Sequence, residues 1–124
     1  MLLNMKTKTL VTLIFALAPS AVFAHAQLQS AVPAVGATVS ASPVEIQLTF
    51  GEAVNPRSST IALAIDKGAK VAIGKPHAAS GDAAALIAAI RNPLKPGVYK
   101  VTWHAVAADD GGKTQGSFTF TVAP

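Results

Sequence analysis

Residues 99–104 read Tyr-Lys-Val-Thr-Trp-His, a stretch in which apolar and polar side chains alternate. Because successive side chains of a β-strand point to opposite faces, the alternation predicts a strand that buries Tyr99, Val101 and Trp103 on one face. Residues 45–50 (Glu-Ile-Gln-Leu-Thr-Phe) and 117–122 (Ser-Phe-Thr-Phe-Thr-Val) repeat the pattern. Three segments of period two predict an all-β protein.

Four further segments complete the predicted set of strands. Residues 60–65 and 84–90 are apolar and bounded by turn residues; the second is rich in alanine, but its length and its flanking Gly, Asp, Asn and Pro residues favour a strand over a helix. Shorter candidates lie at residues 26–30 and 70–73. About seven short strands in about 100 residues predict a Greek-key β-sandwich of immunoglobulin-like shape, a fold that does not by itself specify a function.

The N-terminal part of the chain is typical of an export signal. Two lysines precede an apolar run at residues 10–18, and residues 22–24 (Val-Phe-Ala) are similar to a small-x-Ala cleavage site. The run is too short to cross a membrane. We therefore expect residues 1–24 to be cleaved from an exported, periplasmic protein that does not itself span the membrane, leaving one domain at residues 25–124.

Composition limits the partners of that domain. The chain has no cysteine, and both methionines lie within the predicted signal, so the mature domain offers no sulfur ligand. Any metal site must then use nitrogen and oxygen, which suits Cu(II), Zn(II) or Ni(II) better than Cu(I). Loss of the two signal lysines lowers the net charge from +4 to +2, which does not favour a nucleic-acid partner.

Cleavage before His25 would give this histidine an unusual chemistry. The free α-amine and the imidazole of one residue could bind the same metal ion, so His25 is a candidate ligand. The alternative is that His25 is only the first residue of an ordinary exported domain.

Two stretches resemble a known family. Residues 25–53 begin His-Ala-Gln-Leu-Gln-Ser-Ala-Val-Pro and end Phe-Gly-Glu-Ala, and residues 93–106 read Pro-Leu-Lys-Pro-Gly-Val-Tyr-Lys-Val-Thr-Trp-His-Ala-Val. Together with the closing strand at 116–122, they are similar to the CopC family of periplasmic copper-resistance proteins. Residues 55–92 carry no distinctive motif of the family.

The resemblance implies a protein that holds Cu(II) without catalysis and passes it to a partner, such as an inner-membrane copper transporter. The implied ligands, at one end of the sandwich, are His25, Glu52 and Asp109. The family's Asp-x-His motif also supplies a second histidine, which has no counterpart here: Gly111 stands at its position, with one residue inserted. The resemblance therefore implies a copper site that lacks one imidazole.

Two other histidines are candidates to replace the missing imidazole. The alternation places His104 on the face opposite the core, so we expect a solvent-facing strand residue, with a ligand role as the alternative. We expect His77 to lie in a surface loop.

Other functions stay open at this point. The residues Asp109-Asp110-Gly111-Gly112 favour a hairpin turn without any metal, and a glutamate such as Glu52 at a strand end is commonly solvated. The alternative function is thus a metal-free sandwich that acts as an interaction or structural module. Oxidative polysaccharide-cleaving enzymes also use an N-terminal histidine on copper, but they need a second histidine and a longer chain, so we predict no enzyme.

Overall fold

The computed structural model describes residues 25–124, so the predicted export signal at residues 1–24 lies outside the described residues. The described residues contain no helix that could cross a membrane. They form nine strands in two sheets. The strands are β1 (Leu28–Val32), β2 (Thr38–Val39), β3 (Glu45–Phe50), β4 (Thr60–Ile65), β5 (Lys70–Val71), β6 (His77–Ala79), β7 (Asp82–Ala89), β8 (Gly97–Val106) and β9 (Lys113–Val122).

The two sheets confirm the predicted Greek-key sandwich. One sheet has the order β1-β3-β7-β6, and the other has the order β2-β9-β8-β4-β5. All neighbours are antiparallel except β2 and β9, which run parallel. The chain crosses between the sheets at several points, for example from β3 to β4 and from β7 to β8.

The core lies between the sheets and uses the side chains that the alternation predicts. Phe50 of β3 meets Trp103 of β8 edge to face, with ring centroids 5.2 Å apart, and this contact joins the two sheets. On the five-stranded sheet Tyr99 stacks on Phe120 of the paired strand at 5.7 Å. The inward residues of the three alternating segments are all buried: Ile46, Leu48, Phe50, Tyr99, Val101, Trp103, Phe118, Phe120 and Val122.

The structure corrects the prediction at the sandwich edges. Strands β2 and β6 were not predicted, and His77 opens β6 as an exposed strand residue instead of lying in a loop. Strands of two or three mostly exposed residues show no alternation that sequence reasoning could detect. The first strand, predicted at residues 26–30, is Leu28–Val32, and the carbonyl oxygen of Ala26 before it accepts a hydrogen bond from the Thr114 hydroxyl group on β9.

Candidate metal centre

Two loops meet at one end of the sandwich. Residues 51–55 follow β3, and residues 107–112 connect β8 to β9 as the predicted hairpin turn. Val54 forms an isolated β-bridge with Ala107, and the amide of Ala108 donates a 2.9 Å hydrogen bond to the carbonyl oxygen of Ala53. These backbone contacts bring the residue before Ala53 and the residue after Ala108 into the same region, and those residues are Glu52 and Asp109.

The N-terminal segment is held against the same loops. Ala26 is completely buried, and its carbonyl oxygen accepts a 2.6 Å hydrogen bond from the hydroxyl group of Thr114 on β9. The carbonyl oxygen of Gln27 accepts a 2.9 Å hydrogen bond from the amide of Gly51. With Ala26 and Gln27 fixed on both sides, the structure places His25 at the end of the sandwich that carries the two loops.

The imidazole of His25 lies directly over Gly112. A Cβ atom on Gly112 would overlap His25 Nδ1 and would lie 2.6 Å from His25 Cε1 and 3.1 Å from Asp110 Oδ1. Such short separations essentially do not occur between real atoms, so the ring can occupy this position only because residue 112 is glycine. Gly112 therefore determines how closely the His25 ring approaches the β8–β9 loop.

Three carboxylates gather at this end of the sandwich, and the group of mutually close donor atoms does not include His25. One oxygen atom each of Glu52, Asp109 and Asp110 can be chosen so that all three lie within 4.8 Å of one another. Asp109 and Asp110 are exposed, whereas Glu52 is half-buried. Like charges at such separations repel each other unless a cation lies between them.

The electrostatics of Glu52 reflect this arrangement. Burial raises the pKa of its carboxyl group above the ordinary value, the negative charges of Asp109 and Asp110 raise the pKa further, and the charge of His25 lowers it. The Oε1 atom is closed off from solvent and accepts no hydrogen bond from residues 25–124. A carboxylate oxygen in that position is costly to ionise without a positive charge nearby, and either His25 or a bound cation can supply that charge.

Asp110 was not among the residues that sequence reasoning selected. Its Oδ1 atom accepts a 2.8 Å hydrogen bond from the amide of Gly112, and its own amide donates a 2.7 Å hydrogen bond to Asp109 Oδ1. These contacts belong to a turn, which is how the sequence was interpreted. The only sequence signal for a further role was that Asp110 directly follows Asp109.

Two further positions singled out by the sequence are His104 and Gly111. His104 is exposed on the outer face of β8, as predicted, with Nδ1 3.4 Å from the hydroxyl oxygen of Thr60. Gly111, at the position of the family's second histidine, has φ = 71° and no atom within 4 Å of an added Cβ. There is space for a side chain at Gly111, but the backbone conformation favours glycine.

The donors at this end of the sandwich are nitrogen and carboxylate oxygen, without sulfur among residues 25–124. Imidazole and carboxylate ligands together suit Cu(II), Zn(II) or Ni(II). The fold and the cluster therefore define a class of protein: a β-sandwich with a candidate site for a divalent transition-metal ion at one end.

The chain belongs to the CopC family, because the model of the CopC domain matches residues 28–123. Protein YobA of Escherichia coli strain K12 is 38% identical over 101 residues, covering 82% of this chain and 81% of YobA. The crystal structure of CopC from Methylosinus trichosporium OB3b superposes with a TM-score of 0.74 at 29% identity, covering 81% of this chain and 95% of that one. PcoC from Escherichia coli, described as a methionine-rich copper resistance protein, gives a TM-score of 0.69 at 34% identity, covering 80% and 99%.

Proposed function

We propose that this protein is a periplasmic copper carrier in a copper-resistance or copper-homeostasis system. Export removes residues 1–24, and the mature protein holds one Cu(II) ion through the amine and imidazole of His25 with carboxylate oxygens of Glu52 and Asp109. The ion is cargo, bound without catalysis and delivered to a partner such as an inner-membrane copper transporter. Family membership and the copper-resistance role of the relative PcoC support the choice of metal.

The observation that carries the proposal is the meeting of three separate segments at one end of the sandwich. The backbone contacts of Ala26 and Gln27 lead His25 to Gly112, beside the carboxylate cluster of Glu52. Amine, imidazole and carboxylate are donors for which Cu(II) stands at the top of the divalent affinity series. Because Asp109 is exposed, an ion bound there can be reached by a partner protein, as delivery requires.

The test begins with the N-terminal sequence of the protein isolated from the periplasm, followed by titration with Cu(II). We expect His25 as the first residue and one bound ion. A version with one extra glycine before His25 keeps the imidazole but moves the amine, and it should lose most of the affinity. His25→Ala and Asp109→Ala should also bind more weakly, whereas the matched controls His104→Ala and His77→Ala should bind as the wild type does.

A competition assay with a Cu(I) chelator tests whether the protein also binds Cu(I). With no sulfur among residues 25–124, we expect the protein to lose Cu(I) to a competing chelator. Retention of one Cu(I) ion per molecule against the chelator would contradict this expectation and would require a different donor set.

One observation favours a second candidate, a sandwich that has lost metal binding and acts as an interaction or structural module. Gly111 stands where the family motif has its second imidazole, in a conformation that favours glycine. If Cu(II) neither binds nor stabilises the protein that begins at His25, this second function replaces the first.

A further inference from the structure

We propose that a groove between the edge strand β6 and the start of β4 binds an acidic, extended segment of the partner protein that receives the ion. The inference rests on the proposed function, because it names the contact through which the carrier meets that partner. The groove has a volume of about 470 Å³, and its lining includes Pro56, Arg57, Thr60, Lys75, Pro76 and His77.

The groove lies where the two sheets stand open along one side of the sandwich. β6 is the last strand of the four-stranded sheet, so one backbone edge of His77–Ala79 has no neighbouring strand among residues 25–124. The first three residues of β4 pair with β8 only, because β5 pairs with Leu63 and Ala64 and not with the residues before them. Strand edges with free N–H and C=O groups can pair with another strand. The groove therefore fits a peptide segment in extended conformation.

The charge of the groove has one sign. Arg57 comes from the segment before β4 and Lys75 from the segment before β6; both are exposed, and no carboxylate lines the groove with them. Neither cationic side chain forms a hydrogen bond or an ion pair with the rest of the described residues. Two uncompensated cations in one groove are complementary to closely spaced carboxylates. We therefore infer that the occupant is acidic.

The other features of the groove favour a polypeptide over a small anion or a membrane. Pro56 and Pro76 contribute apolar surface beside the cations, which a peptide would cover and an inorganic anion would leave in water. An anionic bilayer fits less well, because Glu52 precedes Arg57 by only five residues and its carboxylate cluster would be repelled by the lipid headgroups. An acidic segment of a protein is thus the occupant that satisfies both the charge and the apolar surface.

The position of the groove relates it to the candidate metal centre. Its wall before β4 is fixed to the end of β8: the amide of Asn55 donates a 2.8 Å hydrogen bond to the carbonyl oxygen of Val106, and the amide of Val106 donates a 3.0 Å hydrogen bond to the hydroxyl oxygen of Ser59. Val106 is the last residue of β8, directly before the loop 107–112 of the metal centre. A partner bound in the groove would therefore have its adjoining surface beside the ion, as transfer requires.

The test uses a fluorescently labelled hexaglutamate peptide and the metal-free protein that begins at His25. Arg57→Gln combined with Lys75→Gln removes both cations of the groove. The matched control is Arg91→Gln combined with Lys95→Gln, which removes one arginine and one lysine, both exposed, from the segment between β7 and β8. We expect the control to bind the peptide as the wild type does, and the groove variant to bind it about tenfold or more weakly. Binding should weaken as the ionic strength rises.

A second measurement locates the bound peptide. In NMR spectra of the wild type, the peptide should shift the backbone amide signals of β6 and of residues 60–62. Both double variants should unfold at the wild-type denaturant concentration, because the replaced side chains are exposed. Equal losses of peptide affinity in the two double variants, or shifts confined to another surface, would overturn the inference. Binding to phosphatidylglycerol vesicles without binding to the peptide would also overturn it.

The use of metal-free protein separates this inference from the proposed function. Cu(II) binding by a protein that does not bind the peptide would overturn the docking groove and leave the copper carrier standing. Peptide binding by a protein that does not bind Cu(II) would overturn the copper carrier and the delivery role of the groove, and would support the interaction module.

Discussion

The core and the loop end of this sandwich are specified in different ways. Much of the core comes from strands β3, β8 and β9, whose alternation is visible in the sequence. The candidate metal centre is assembled from the N-terminal segment and the loops 51–55 and 107–112, which are far apart in the sequence. A few hydrogen bonds and the absence of a side chain at Gly112 position it. The comparison teaches that the metal site can change without any change of fold.

The largest effect should come from the core. Phe50 is 2% exposed and contacts Trp103 edge to face, so Phe50→Ala removes a buried ring from the junction of the two sheets. We expect a loss of about 3 to 5 kcal/mol in the free energy of unfolding, measured by urea denaturation without metal. The control Val98→Ala, on β8 but 42% exposed, should cost less than about 1 kcal/mol. Equal costs would mean that the core is not where the structure puts it.

The second effect should separate metal binding from stability. In Gly112→Ala the new methyl group would overlap the His25 ring and displace it from the carboxylates. We expect the Cu(II) affinity to fall by about tenfold or more, equivalent to about 1.4 kcal/mol, while the unfolding midpoint of metal-free protein changes little.

Gly74→Ala is the matched control for that variant. Its added Cβ would lie 3.7 Å from the Cβ of Ala89, an ordinary contact far from the acidic cluster, so the Cu(II) affinity should stay at the wild-type value. Wild-type affinity in Gly112→Ala as well would show that the position of His25 over the loop is not used for binding.

The third effect tests whether the lost imidazole can be restored. An added side chain at Gly111 meets open space, but its φ of 71° strains any residue with a Cβ by about 1 kcal/mol. Gly111→His and Gly111→Ala should therefore be destabilised alike without metal. Only Gly111→His should bind Cu(II) more tightly than the wild type and show additional nitrogen coupling by EPR. If it shows neither, the imidazole does not reach the ion from this position.

Sequence reasoning was accurate where a pattern repeats and incomplete where it does not. The alternation at residues 45–50 and 99–104 fixed both the strands and their buried faces, because burial of one face of a strand leaves a period of two in the sequence. His104 was correctly placed on the outer face for the same reason. The short exposed strands β2 and β6 leave no such period and were missed.

The candidate site could likewise be predicted only in part, because no repeating pattern marks its residues. Glu52 and Asp109 were selected by resemblance to a family, and His25 was selected first from the predicted cleavage site. The structure brings Glu52 and Asp109 together. Asp110 was overlooked because a turn already accounted for it, and its proximity to Glu52 depends on the contact between Ala53 and Ala108. That contact joins two backbone groups, which every residue type except proline carries in full, so it cannot be predicted from the residue types.

The smallest effect should be a dependence on pH that originates at Glu52. Burial and the charges of Asp109 and Asp110 raise the folded-state pKa of this carboxyl group, so the folded protein holds the proton more tightly than the unfolded chain does. Ionisation of Glu52 therefore lowers the stability of metal-free protein as the pH rises through the unfolded-state value, near 4.5, towards the higher folded-state pKa. Above that folded-state pKa the loss is complete.

Glu52→Gln removes this loss while keeping the shape of the side chain. Urea unfolding of metal-free protein should show the variant more stable than the wild type at neutral pH, with the difference vanishing below pH 4.5. Glu45→Gln, at the opposite end of β3, is the matched control and should lack the gain. With Cu(II) present the order should reverse, because a ligand that binds only the folded state stabilises it and the variant has lost one donor. A solvated strand-end glutamate would give neither the gain nor the reversal, whereas a carboxylate arranged for a cation requires both.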